Sequence, residues 1–137
     1  RSAFATRAKH PDADLVLAAW PDEVIRRAGV DDRTYIVSLN HEPRFEDALL
    51  HALAGRRVAY IGAIGKRARH HERVERAAAA GLDLDQFPPI HTPIGLDIGG
   101  KSPEEVALSI MAEIIAVKNR RPGGMLVEQA AAHMTRS

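Results

Sequence analysis

The sequence contains no cysteine. That excludes disulfides, thiolate metal sites and a cysteine nucleophile within these 137 residues, and it suits a reducing compartment, read here as the cytoplasm. Aromatic residues are scarce: one Trp, two Tyr and three Phe. The core must therefore rest on Ala, Leu, Ile and Val. No apolar run approaches the ~18 residues of a membrane span. No basic patch followed by an apolar core marks a signal peptide. A net charge of +1 supplies no bulk attraction for nucleic acid. Neither a membrane nor nucleic acid is expected as a partner. What is present, 45% apolar and 27% charged residues, suits one soluble globular domain.

Punctuation by Gly and Pro divides the chain. Leu15–Trp20 (LVLAAW) reads as a buried strand. Pro21, Asp22 and Glu23 open a helix that stops at Gly29. Thr34–Leu39 is a second strand, rich in β-branched and aromatic residues. Glu42–Ala54 is a helix ending at Gly55, and Val58–Ile61 is a third strand running into a Gly62–Gly65 turn. Lys66–Ala80 is a helix stopped by Gly81. The Pro-rich stretch 82–93 is a loop in which Ile90–Thr92 pairs briefly at a sheet edge. Ser102, Pro103 and Glu105 form a capping box for a helix reaching Asn119. Its apolar set (Val106, Ala107, Ile110, Met111, Ile114, Ile115, Val117) is wide enough to predict deep burial. The last dozen residues are Ala-rich, a loosely docked helix or a tail. Alternating strands and helices predict an α/β fold with a mostly parallel sheet. Ligands in such folds sit beyond the carboxyl ends of the strands.

Gly95–Ser102 (GLDIGGKS) matches the phosphate-cradling pattern G-x-x-x-x-G-K-[ST] letter for letter. Its context argues against a nucleotide site. The approach is Pro-rich, Pro103 starts the helix one residue late, and the Ser102 hydroxyl is better used on the amide of Glu105. A stronger anion candidate is Gly62, Ala63 and Gly65 with Lys66 and Arg67, where a glycine turn follows a strand and opens a helix. Three cations there, with Arg69, oppose the helix dipole unless an anion compensates them. His41 follows a strand end at the ligand rim. Asp97 lies between Gly95 and Gly99 and either contacts ligand or makes an Asx turn. His70 and His71 are adjacent, so they do not make the one-face pair a metal would need. No catalytic triad or paired carboxylate stands out, and neither a catalytic nor a metal-ligating residue is assigned.

Four segments together resemble the C-terminal domain of the xanthine dehydrogenase accessory proteins, the XdhC/CoxI family. They are Ile90–Ile114 (IHTPIGLDIGGKSPEEVALSIMAEI), Tyr60–Arg67 (YIGAIGKR), Ala19–Asp22 (AWPD) and Val37–Pro43 (VSLNHEP). The likeness runs from Arg1 to about Arg121. It implies a Rossmann-like three-layer αβα domain over residues 1–121, with 122–137 as a C-terminal tail. It also implies a chaperone role more than a catalytic one: binding the molybdenum cofactor (molybdopterin), whose phosphate would meet Gly62, Ala63, Gly65, Lys66 and Arg67. His41, Gly95 and Asp97 would line the same crevice. The client would be a molybdenum hydroxylase of the xanthine dehydrogenase type.

Family members carry an upstream domain with a Cys, then a strand with a GAGH-type glycine turn and a second strand ending in an acid. None of these is in this sequence. The fold is therefore expected to be incomplete at its N-terminal side, with strands 15–20 and 34–39 flanking missing strands. Such a piece would pair with the missing N-terminal part of the same protein or with another copy, as a homo-oligomer. Two other readings stay open: an NAD(P)-dependent oxidoreductase domain and a purely protein-docking module.

Overall fold

A computed structural model describes residues 5–129. The expected C-terminal tail lies outside the described residues from position 130 onward, as does the start of the family likeness at residues 1–4. The elements run α1 (Pro21–Ala28), β1 (Tyr35–Ser38), α2 (Pro43–Leu53), β2 (Tyr60–Ala63), α3 (Arg69–Ala79), a 3-10 turn (Leu84–Gln86), β3 (Ile90–His91) and α4 (Pro103–Lys118). The strands form one parallel sheet in the order β1-β2-β3. Parallel neighbours need crossover helices, and α2 and α3 supply them.

Register gives the sheet two unlike faces. Tyr35 lies opposite Tyr60, Ile36 opposite Ile61, and Val37 opposite Gly62. Ile61 in turn pairs with Ile90, and Gly62 with His91. One face therefore carries a ladder of Ile36, Ile61 and Ile90. It packs into a core of Ile25, Leu49, Leu53, Val58 and Ile61, drawn from α1, α2, β2 and the loop before β2. The other face carries Tyr35, Val37, Tyr60, Gly62 and His91. There α4 is attached, through the Tyr60 hydroxyl donating to Glu113 at 2.6 Å. Helices on both faces of a parallel sheet make a Rossmann-like αβα arrangement.

Most helix ends follow the sequence signals. Pro stands at the start of α1, α2 and α4. Gly29 ends α1 with φ +76°, a conformation that favours Gly. Ser102 caps α4 by accepting from the Glu105 amide at 3.2 Å. That hydroxyl is thereby committed to a helix cap, as its context predicts.

Four expectations need correction. Leu15–Trp20 is not a strand: the segment is irregular and Leu15 is 58% exposed. A strand needs a neighbour, and β1 lacks one on its outer side among the described residues. A cavity of about 580 Å³ lies there, lined by Leu17, Ala19 and Trp20 together with Tyr35, Val37 and Leu39. β2 begins and ends two residues later than the apolar run, because Tyr35 sets the register with Tyr60. Gly62 and Ala63 thus belong to the strand, and the turn starts at Ile64. α3 starts at Arg69, so Lys66 and Arg67 precede it, in tight bends where Arg69 N–H meets Lys66 O and His70 N–H meets Arg67 O, each at 3.0 Å. Finally, α4 is not deeply buried. Ser109 and Ile110 are its buried residues, while Leu108, Met111 and Ile115 are 64%, 54% and 53% exposed. An apolar helix buries only what a neighbouring layer covers.

Candidate functional site

The carboxyl ends of β1 and β2 meet in a cleft of about 60 Å³, lined in part by Asn40, His41, Ile64, Gly65 and Arg69. Local bonds shape both rims. Asn40 Oδ1 accepts from the Glu42 amide at 2.7 Å and turns the chain into α2. Ile64 N–H donates to Ser38 O at 3.1 Å, tying the second turn to the end of β1. Of the sequence-predicted residues, His41 and Gly65 are brought together here. Lys66, Arg67 and Asp97 are outside the cleft lining, and both cations are exposed.

The glycines divide into two kinds. A Cβ on Gly62 would fall 2.4 Å from the Tyr60 hydroxyl and 2.5 Å from Ile94 Cδ1. Its missing side chain makes room for protein, not for ligand. Gly95 is similar, since a Cβ there would meet Ser109 Oγ at 2.5 Å. Gly65 is different: φ is +116° and nothing lies within 4 Å of its Cβ position. It opens the backbone toward free space. Among the described residues, the amides of Gly65, Lys66 and Arg67 meet no acceptor. Lys66, Arg67 and Arg69 likewise form no ion pair among the described residues. Open amides beside uncommitted cations suit an anion.

Other cations nearby are already engaged. Arg73, 4% exposed, pairs through Nε and Nη2 with both Glu46 oxygens. Its Nη1 donates to His70 Nδ1 at 3.0 Å. Arg76 Nε reaches Asp47 Oδ1 at 3.2 Å. These pairs bolt α3 to α2. Burial holds the His70 imidazole below its usual value, and the Arg73 and Arg67 charges add to that against an opposing pull from Glu46. A neutral ring fits the geometry, because Nδ1 must accept from Arg73.

The segment 92–96, which leads into the GLDIGGKS loop, joins this site from the side of β3. Ile94 N–H donates to Ala63 O at 3.2 Å, and Thr92 Oγ1 to Gly65 O at 3.4 Å. On its other side Leu96 N–H donates to Ser109 O at 3.1 Å, and Gly95 N–H to Glu113 Oε1 at 3.2 Å. His91 Nδ1 stands 3.4 Å from the same oxygen, and its ring stacks on Tyr60 at 4.8 Å. Burial, then the bond to Glu113 and its negative charge, push the Tyr60 phenol far above its ordinary value. Tyr60 is therefore a permanent donor. Sequence reasoning misses Glu113 and Arg73. A signal for Glu113 exists, since it is the sole charge between Val106 and Val117. Arg73 gives none, because an Arg on a charged helix looks like a solvated one.

No group of three His, Asp or Glu residues that could hold a metal ion occurs among the described residues. No helix there is long and apolar enough to cross a membrane.

Known proteins share this architecture. A solved structure of a xanthine dehydrogenase from Bacillus halodurans superposes with a TM-score of 0.72 over 91% of this chain and 35% of that one, at 24% identity. A protein of Bacillus subtilis described as a probable xanthine dehydrogenase subunit is 29% identical over 88% of this chain and 34% of its own length. The molybdenum cofactor insertion chaperone PaoD of Escherichia coli is 26% identical over 66% of this chain and 29% of its own. The chain thus spans about a third of the length of these relatives. The family model of the XdhC Rossmann domain matches residues 1–114, from the first residue into α4 and across the cleft, and the chain belongs to that family.

Proposed function

We propose that this chain is the crevice-bearing domain of an accessory factor that matures molybdenum hydroxylases of the xanthine dehydrogenase type. In this reading it holds an anionic cofactor, the phosphate-bearing molybdenum cofactor, at the turn after β2. One observation carries the reading. The amides of Gly65, Lys66 and Arg67 lack acceptors among the described residues, and three uncommitted cations surround them at the end of the central strand. The names of two relatives, one a molybdenum cofactor insertion chaperone and the other part of a xanthine dehydrogenase, point the same way. The protein's part is binding and orientation, while the cofactor brings the redox chemistry of its metal.

Gly65, Lys66 and Arg67 would meet the phosphate directly. His41 would close the cleft beside Asn40, and Asp97 would lie at its outer rim. Gly62, Ala63 and Gly95 would act by shaping the backbone around it. The domain is taken as 1–121 and the tail as 122–137, in a cytoplasmic protein. The open edge of β1 and the 580 Å³ cavity beside it would be filled by further chain, from an N-terminal part of the same protein or from a second copy.

The test is the affinity of the full polypeptide for molybdenum cofactor, with NADPH titrated in parallel. Combined Lys66→Ala and Arg67→Ala should weaken cofactor binding by about tenfold or more. Unchanged affinity would overturn the assignment. Tight NADPH binding lost in the same variant would favour the oxidoreductase reading instead.

A further inference from the structure

An acid inside an apolar helix segment needs partners, because a buried charge without them is costly. Glu113 has its partners from three directions, all converging on Oε1: the Tyr60 hydroxyl of β2, the Gly95 amide, and His91 Nδ1 at the end of β3. The segment it grips is also the one that touches the anion turn. Ile94 N–H is bonded to Ala63 O, and Thr92 Oγ1 to Gly65 O. Gly95 is seated against Ser109, with no space for a side chain. A continuous set of bonds therefore runs from Glu113 through residues 95 to 92 to the carbonyl of Gly65. The peptide group that carries this carbonyl also carries the Lys66 amide.

We infer that Glu113 is a positioning residue for the anion turn: through Gly95 and Thr92 it fixes the aim of the Gly65–Arg67 amides while touching no ligand itself. The inference rests on the reading of that turn as an anion site. A carboxylate suits the task better than an amide. Two donors bond to one oxygen, with His91 Nδ1 3.4 Å from it, and a negative charge strengthens both bonds. A Gln side chain keeps an acceptor for Tyr60 and Gly95 but lacks the charge that strengthens both bonds.

The experiment uses the isotope-labelled chain with inorganic phosphate as the probe, comparing wild type, Glu113→Ala, Glu113→Gln and, as a same-helix control, Met111→Ala. Two quantities are read by NMR. The first is amide hydrogen exchange at Gly95 and Ile94, referred to the core amide of Leu53. The second is the phosphate-induced shift of the Gly65, Lys66 and Arg67 amides. Glu113→Ala should speed exchange at Gly95 by about tenfold more than at Leu53. It should also weaken phosphate binding about fivefold, with Glu113→Gln recovering part of both losses. Met111→Ala should move neither. If Gly95 loosens only in step with Leu53, Glu113 is a stability residue and the inference fails. It fails equally if Gly95 loosens while phosphate affinity holds. Should Glu113→Ala not fold, Tyr60→Phe removes one of the two donors and must show the same two effects in smaller degree. A wild-type chain whose turn amides ignore phosphate would sink the anion reading itself. The exchange arm then decides separately whether Glu113 holds the loop.

Discussion

The two faces of the sheet are held in opposite ways. On one, the ladder of Ile36, Ile61 and Ile90 meets Ile25, Leu49 and Leu53, and the contact is apolar and closed. On the other, a Tyr, a Gly and a His meet a Glu, and α4 is anchored by converging hydrogen bonds while Leu108, Met111 and Ile115 stay exposed. Apolar packing gives bulk stability and tolerates small shifts. A hydrogen-bonded clamp fixes positions but covers little area. The clamped face carries the loop that reaches the candidate site, where position matters more than area.

Substitutions can break this contrast. The largest effect is expected at the polar exception on the apolar side, the Arg73–Glu46 pair. Arg73→Ala should cost about 3–5 kcal/mol by leaving a largely buried Glu46 alone. The double change Arg73→Met with Glu46→Leu should recover most of it, as urea unfolding would show. Leu53→Ala, at a fully buried site, should cost about 2–5 kcal/mol in the same assay. Tyr60→Phe attacks the clamp instead, and loss of one bond to a charged acceptor should cost about 1.5–3 kcal/mol. A cost above that of Leu53→Ala would mean the clamp, not the core, dominates.

Acid should act through His70, whose folded value lies below the usual 6.5. A lowered value means the folded state prefers the neutral ring. Its stabilisation is full above pH 6.5 and is lost as pH falls from there through the folded value. Wild type should therefore lose stability relative to His70→Asn over that window, and an NMR titration should place the His70 midpoint below 6.5. The smallest effect belongs to the exposed stripe of α4. Met111→Gln should change stability by less than about 0.5 kcal/mol in this chain. A larger loss would show that a layer covers α4 after all.

Much of the fold is legible in local chemistry. Pro at helix starts, Gly at helix ends and the Ser102 cap each act through the nearest few residues, and each stands where the sequence places it. Leu15–Trp20 misleads because strand propensity is empty without a partner to bond. The apolar letters of α4 mislead because composition says what a helix would bury, not what layer is present to bury it. At the site, the basic glycine turn is visible as a pattern, but the pattern cannot separate its two glycines. Gly62 and Gly65 look equivalent in YIGAIGKR, yet one is filled by Tyr60 and Ile94 and the other opens outward.

The sequence by itself determined the parallel α/β class, the helix limits set by Pro, Gly and Ser, and the family. These depend on local rules and on a long, specific likeness. Tertiary structure alone decided which charges are free. Lys66, Arg67, Arg69, Arg73 and Arg76 read alike along the chain, and only the approach of α2 commits Arg73 to Glu46 and Arg76 to Asp47. It also decided that Glu113, distant in sequence from Tyr60 and Gly95, should hold them both. Pairing across a fold is a matter of a few ångströms in space, and such distances have no local signature.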